Sequence, residues 1–247
     1  MRKLFLKSSL ILSIPVLFAS CNKSSDSKTQ NDQNKAQTEV VGSEEVVTKV
    51  VTKEEQAKLT PDLIIKDLKE GNARFAESNM TARNHSDQIV MAREGQYPEA
   101  FVLSCIDSRV PVEDVFDQGI GDLFVGRVAG NFANVDLLGS IEYACKVSGT
   151  KLVVVLGHES CGAIKGAIDH VELGNLTTML TNLKPAIEMT NNFAGEKTSK
   201  NADYVHEVSV NNVKHTIDYI RKNSSVLKEM EDKGEVKIVG AMYDFHD

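Results

Sequence analysis

The run Lys151–His158, KLVVVLGH, limits this chain's fold more than any other stretch. Apolar residues stand unbroken from Leu152 to Leu156, so a strand here must be covered on both faces. Gly157 closes the run, and GAIKGAIDHVELG, which opens at Gly162, has helical spacing. AFVLSC (Ala100–Cys105), DLFVGRVAG (Asp122–Gly130) and the final VKIVGAMYDF read as further buried strands.

Helical patterns separate them. LTPDLIIKDLKEGNARFAES has Thr60 as N-cap, Pro61 in the first turn, and Leu63, Ile64, Leu68 and Phe75 on one face. HSDQIVMAREGQYP is a second, short helix ended by Gly95 and Pro98. VDLLGSIEYACKVSG places Leu137, Leu138, Ile141, Ala144 and Cys145 at helical spacing, and a long helical region runs between Asn211 and Lys233. The expected class is α/β, a mainly parallel β-sheet covered by helices, over residues 55–247. In such sheets ligands sit outside the carboxyl ends of the strands.

Residues 1–20 read as a removable leader. Arg2, Lys3 and Lys7 precede the apolar SSLILSIPVLFAS, which is short for a membrane span. LFASC resembles the bacterial lipoprotein box, although Phe18 stands where that box carries an aliphatic residue. The resemblance implies acylation at Cys21 and an exported protein lipid-anchored to a bacterial membrane. An ordinary cleaved signal with an incidental cysteine is the alternative. Residues 21–54 are rich in Lys, Ser, Asn, Gln and Asp and read as a polar tether with too little apolar area to offset ordering. Within it EEVVTKVVTKEE suits a strand or a helix equally.

The formal net charge is −7, and losing residues 1–20 removes three positive charges and no acidic ones. No basic stripe stands out, which argues against nucleic acid as a partner.

Chemistry gathers at two strand ends. SCIDSRV follows the first strand with Cys105, Asp107 and Arg109 alternating, and GHESCGA follows the third with His158 and Cys161. Two sulfurs, an imidazole and a carboxylate are zinc ligands in zinc's preferred number. Two bland readings compete with the metal. Cysteines are often simply buried, as Cys145 is expected to be, and an exported chain can join Cys105 to Cys161 in a disulfide.

These motifs carry a resemblance. From about Leu63 to Phe245 the chain resembles the β-class carbonic anhydrases: CIDSRV matches the family's C-x-D-S-R motif and GHESCGA its G-H-x-x-C-G-A motif. LKEGNARF, GQYPEAFVLSC, GDLFVGRVAGN, GSIEYA and GAMYD are close to family blocks in the same order. The resemblance implies one zinc ion per subunit on Cys105, His158 and Cys161, with Asp107 available as a fourth ligand. It also implies carbon dioxide and bicarbonate as substrates, and a homodimer or higher even oligomer. Gln96 and Gly162 match residues that face substrate in the family. Phe124 is expected to wall an apolar pocket, or else to be an ordinary core residue.

Three protein ligands leave zinc a position for water, which the metal acidifies; a fourth closes the site. Asp107 is thus expected to act as a gate, with Arg109 holding it by paired hydrogen bonds when it leaves the metal. Two thiolates offset the zinc charge, so activity is expected to rise toward alkaline pH. Val128 stands where many members carry asparagine, and the chain stops at YDFHD where relatives add a short strand. His85, His170, His206, His215 and His246 match no motif. Competing functions are hydrolysis of carbon disulfide or carbonyl sulfide at the same site, and a non-catalytic zinc lipoprotein with Asp107 fixed on the metal.

Overall fold

A computed structural model describes residues 46–246. The expected leader, Cys21 and the expected tether up to residue 45 lie outside the described residues. β1 (Ala100–Ser104), β2 (Leu123–Arg127), β3 (Leu152–His158) and β4 (Lys237–Tyr243) form one four-stranded sheet in the order β2-β1-β3-β4. Every adjacent pair is parallel. Before β1 come α1 (Lys53–Lys58), α2 (Pro61–Ala76) and α3 (His85–Met91). α4 (Val112–Val115) follows β1, and α5 (Val135–Glu142), continued by a π turn at Tyr143–Val147, follows β2. β3 leads into α6 (Gly162–Ile168), α7 (Gly174–Leu180), α8 (Lys184–Met189), α9 (Ala202–Asn223) and α10 (Ser225–Asp232).

The unbroken apolar runs have a simple cause. Side chains alternate across each strand, and both faces are covered. Phe101, Leu103, Val153, Val155 and Ile238 face a core shared with Leu138 and Ile141 of α5, Ile220 of α9 and Leu227 of α10. Ala100, Val102, Leu152, Val154 and Leu156 face the other way, onto Ile64 and Leu68 of α2 and Val112 and Val115 of α4. Each fully buried large aliphatic contributes about 1.5–3 kcal/mol, so β1 and β3 anchor the domain.

α2 starts as expected, with the Thr60 hydroxyl accepting from the Leu63 N–H at 3.3 Å. The ambiguous EEVVTKVVTKEE segment is split: residues 46–52 are non-helical, with Val47 in an isolated bridge, and α1 begins only at Lys53, where Thr52 and Glu55 cap it reciprocally. Gln56 then donates to the carbonyls of Pro98 and Ser148 at 2.8 and 3.0 Å. Val47 bridges to Arg83 in parallel, so the paired chain extends back to Val47, ahead of the expected boundary at 55. Capping and backbone pairing hold this part, which apolar content alone did not reveal.

α9 also begins earlier than expected, at Ala202 behind the N-cap Asn201. Its buried face carries Ser209, Asn211, Asn212 and Thr216, which obscure the apolar period. Asp117, at φ +48°, is a polar keystone. Its fully buried carboxylate accepts from Arg74 of α2 and from Arg83 and Thr81 of the following segment. No helix among the described residues is long and apolar enough to cross a membrane.

Candidate metal centre

β1 and β3 are neighbours, with Ser104 in register with Leu156, so Cys105 and His158 emerge side by side at the carboxyl edge of the sheet. The chain then turns through Ser160 at φ +50°, and Cys161 becomes the residue from which α6 departs. One ligand atom from each of Cys105, His158 and Cys161 lies within 4.8 Å of the other two. All three are buried, at 3%, 1% and 1% exposure.

Nδ1 of His158 sits 2.8 Å from the Glu159 carbonyl oxygen. A carbonyl only accepts, so Nδ1 carries the proton and Nε2 presents a lone pair. That Nε2 is buried without a hydrogen-bond partner among the described residues. Such an orphan is costly unless a ligand takes it, and a metal ion is the ligand that suits it.

The two thiols point the same way. Cys105 is pulled well below the usual thiol range, first by the hydrogen bond from Cys161, with His158 and the Gly130 N–H also favouring the thiolate. Cys161 is pushed up because Cys105 holds the charge beside it, and burial adds to the effect. A divalent cation would let both ionise. Cys105 and Cys161 are free thiols, so the expected alternative of a disulfide is not what the fold forms. The donor set and the orphaned nitrogen fit zinc.

Asp107 lies at the rim. Its Oδ1 accepts from Arg109 Nε at 2.9 Å and its Oδ2 from Nη2 at 2.8 Å, while the Arg109 N–H adds a third bond at 3.0 Å. The Arg109 guanidinium holds the Asp107 carboxyl well below the usual carboxylate range. Oδ2 is 3.8 Å from Nε2 of His158, so the carboxylate stands beside the ligand set.

Four further residues build this site without having been singled out by motif. Arg127, at the end of β2, donates Nε to the Cys105 carbonyl at 2.8 Å and Nη2 to the Asp107 carbonyl at 2.6 Å, fixing the loop between them. The Gly130 N–H donates to Cys105 Sγ at 3.3 Å, and Asn212 of α9 donates to the Gly130 carbonyl at 2.8 Å. Gly130 has φ +86°, and a Cβ there would meet Leu183 at 2.9 Å. Arg127 and Gly130 lie in the GDLFVGRVAGN block, which was the one sequence signal for them. Phe245, beyond β4, lies against both Arg109 and His158.

A cleft of 280 Å³ opens on the site, walled by Cys105, Ile106, Asp107, Gly162, Ala163 and Leu180. Gly162 opens α6 there with free space where a Cβ would project. Gln96 is not brought to this cleft: it is exposed ahead of β1, at the opposite end of the strand from Cys105. Phe124 is not brought there either. It is in register with Phe101, four residues short of Cys105, or about 13 Å along the strand. It packs edge-on against Tyr143. His206 pairs with Glu159 and His246 with Asp244, while His85 and His170 are exposed. A larger cleft of 490 Å³ between α2 and β4 has mainly apolar walls, including Leu68, Phe75 and Val239, and holds no cluster of metal-ligating side chains among the described residues.

Known proteins are similar to this chain. The carbonic anhydrase family profile matches residues 100–247. Carbonic anhydrase 2 of Mycobacterium tuberculosis is 36% identical over 188 residues, 74% of this chain and 87% of that protein. A carbonic anhydrase of Mycolicibacterium smegmatis is 35% identical over 191 residues, 74% and 88% of the two chains. The crystal structure of the β-carbonic anhydrase CafA of Aspergillus fumigatus superposes with a TM-score of 0.56 at 26% identity, covering 74% of this chain and 85% of that one. The chain belongs to the β-class carbonic anhydrase family.

Proposed function

We propose that this carbonic anhydrase reversibly hydrates carbon dioxide to bicarbonate and a proton, with zinc on Cys105, His158 and Cys161 and an Asp107–Arg109 gate. The observation that carries the reading is the buried, unpartnered Nε2 of His158 between two thiols, with Asp107 clasped by Arg109 at the rim.

When bound, zinc supplies a Lewis acid that makes hydroxide available near neutral pH. The protein contributes position and polarity. Arg109 gives two bonds to Asp107 Oδ1, from Nε and its backbone N–H, and one to Oδ2, which leaves Oδ2 acceptor capacity to orient the attacking oxygen. Arg127 keeps the Cys105–Asp107 backbone fixed while the carboxylate does so. Ile106, Ala163 and Leu180 give the cleft an apolar wall suited to a neutral, apolar gas. The N–H groups at the start of α6, where Gly162 sits, favour an anionic product.

Gln96 and Phe124 reach substrate in this reading from a second copy of the chain. Phe124 lies beside two exposed apolar side chains, Val135 at 76% and Tyr143 at 51%, which supports an even homo-oligomer. Acylation of Cys21 would hold the exported enzyme at a membrane surface, a reading that rests on the LFASC segment. Mass spectrometry of the N-terminal peptide tests it, and an unmodified Cys21 refutes it.

Stopped-flow carbon dioxide hydration by zinc-quantified protein tests the activity. A zinc-dependent rate that climbs with pH supports the reading. Stoichiometric zinc with no rate at any pH would overturn it.

A further inference from the structure

We propose that Phe245 is a positioning residue that holds the Arg109 guanidinium in its two-pronged bond to Asp107. The inference rests on the functional reading of that pair and adds a residue that no motif includes.

Arg109 has a weakness. Its side chain is 53% exposed, and an exposed arginine–carboxylate pair alone is weak because a long side chain must be kept in one geometry. Something must limit its freedom if it is to keep Asp107 beside the ligand set and off the metal. Phe245 does this by covering the flat face of the cation: Cζ of Arg109 lies 4.2 Å from the ring centroid. That is well inside cation–π range, and it leaves the N–H edge free for the carboxylate.

The ring is itself held from two sides. It meets Tyr243 at 5.2 Å and 86°, and it meets the imidazole of His158 at 5.9 Å and 73°. Both are edge-to-face arrangements that favour one ring orientation. Tyr243 is in register with His158, and its carbonyl accepts from the Glu159 N–H at 2.9 Å. The end of β4 therefore carries the ring to a fixed place between a metal ligand and the gate arginine.

The test compares wild type with Phe245→Tyr, Phe245→Leu and pentafluorophenylalanine at 245, all at matched zinc content. The fluorinated ring keeps the shape and withdraws the face electrons, so folding is not at risk. One readout is exchange of the Arg109 Nε–H by ¹H–¹⁵N NMR; the other is kcat and KM. Phe245→Tyr should match wild type. The leucine and fluorinated forms should show Nε–H exchange faster by about two- to fivefold and kcat lower by a similar factor. KM should not move, since the fall reflects a smaller competent fraction. Wild-type exchange and kcat in both altered forms would overturn the proposal and leave the ring as a cover for His158. A fall in kcat explained by zinc loss would overturn it too. If wild type hydrates no carbon dioxide, the functional reading fails, and the NMR arm still decides whether Phe245 holds Arg109.

Discussion

Arg109 reaches back two residues to grip Asp107 at 2.9 and 2.8 Å, while the same carboxylate stays 3.8 Å from Nε2 of His158. In the proposed gate, a guanidinium and a metal would compete for this one carboxylate. Lysine supplies a point charge with no fork, so Arg109→Lys should resemble Arg109→Ala more than wild type. Charge-assisted bonds of this type correspond to about tenfold to a hundredfold in kcat/KM, with zinc content unchanged. Stopped-flow rates beside elemental analysis check this, and a fully active lysine variant would contradict it.

Gly130 links the long helix to the metal site, taking a bond from Asn212 on its carbonyl and giving its N–H to Cys105 Sγ. Gly130→Ala forces a side chain into a positive φ and against Leu183. Loss of such an outer bond to a thiolate should lower zinc affinity by about tenfold or more. Competition with a calibrated chelator measures it. An unchanged affinity would mean that the loop relaxes without moving the N–H.

What was legible and what was not follows from these contacts. β1 and β3 were readable because burial on both faces leaves Ala100–Leu103 and Leu152–Leu156 without polar interruption. Cys105, His158 and Cys161 were readable because scarce ligand types recur at the ends of two such strands. The buried face of α9 was obscured by Asn211 and Asn212, whose partners lie 21 and 82 residues away. Arg127 acts on backbone carbonyls, which leave no trace in side-chain pattern. Gln96 came from resemblance and Phe124 from its apolar setting, and one chain does not carry either to its own cleft.

Cys145 is a test of selectivity among the thiols. It is buried in the π turn, and burial pushes it up to about 12, so it stays a protonated apolar group. Cys145→Ala should retain zinc and rate, whereas Cys161→Ala removes a ligand and should release the metal. A thiol titration of native protein should find Cys145 unreactive.

Asp117 should govern acid stability. Burial alone would raise its carboxyl, but bonds from Arg83, Arg74 and Thr81 outweigh that and bring it to about 2. A depressed folded value contributes stability that is present above the unfolded value, near 4, and is lost as pH falls toward 2. Asp117→Asn should lose about 3 kcal/mol at neutral pH by breaking a buried ion pair, and the difference from wild type should shrink below pH 4. Urea unfolding across that range is the measurement; a difference independent of pH would show that shape, not charge, matters there.

Glu99 runs the opposite way. Burial raises its carboxyl to about 7, with Asp67, Asp122 and Glu55 adding like charge. In the unfolded chain the same group ionises near 4.3. Between those values unfolding releases a proton, so this residue lowers stability steadily as pH rises from about 4 to 7, after which the loss is complete. Glu99→Gln has no charge to create and should lack that decline. Melting temperatures of the two proteins should therefore agree most closely near pH 4 and diverge in favour of the glutamine variant by pH 8. Parallel curves would show that Glu99 finds water or a counter-charge when it ionises. Because Glu99 accepts from the Lys151 N–H at 3.1 Å through its backbone alone, the substitution leaves the lead-in to β3 intact.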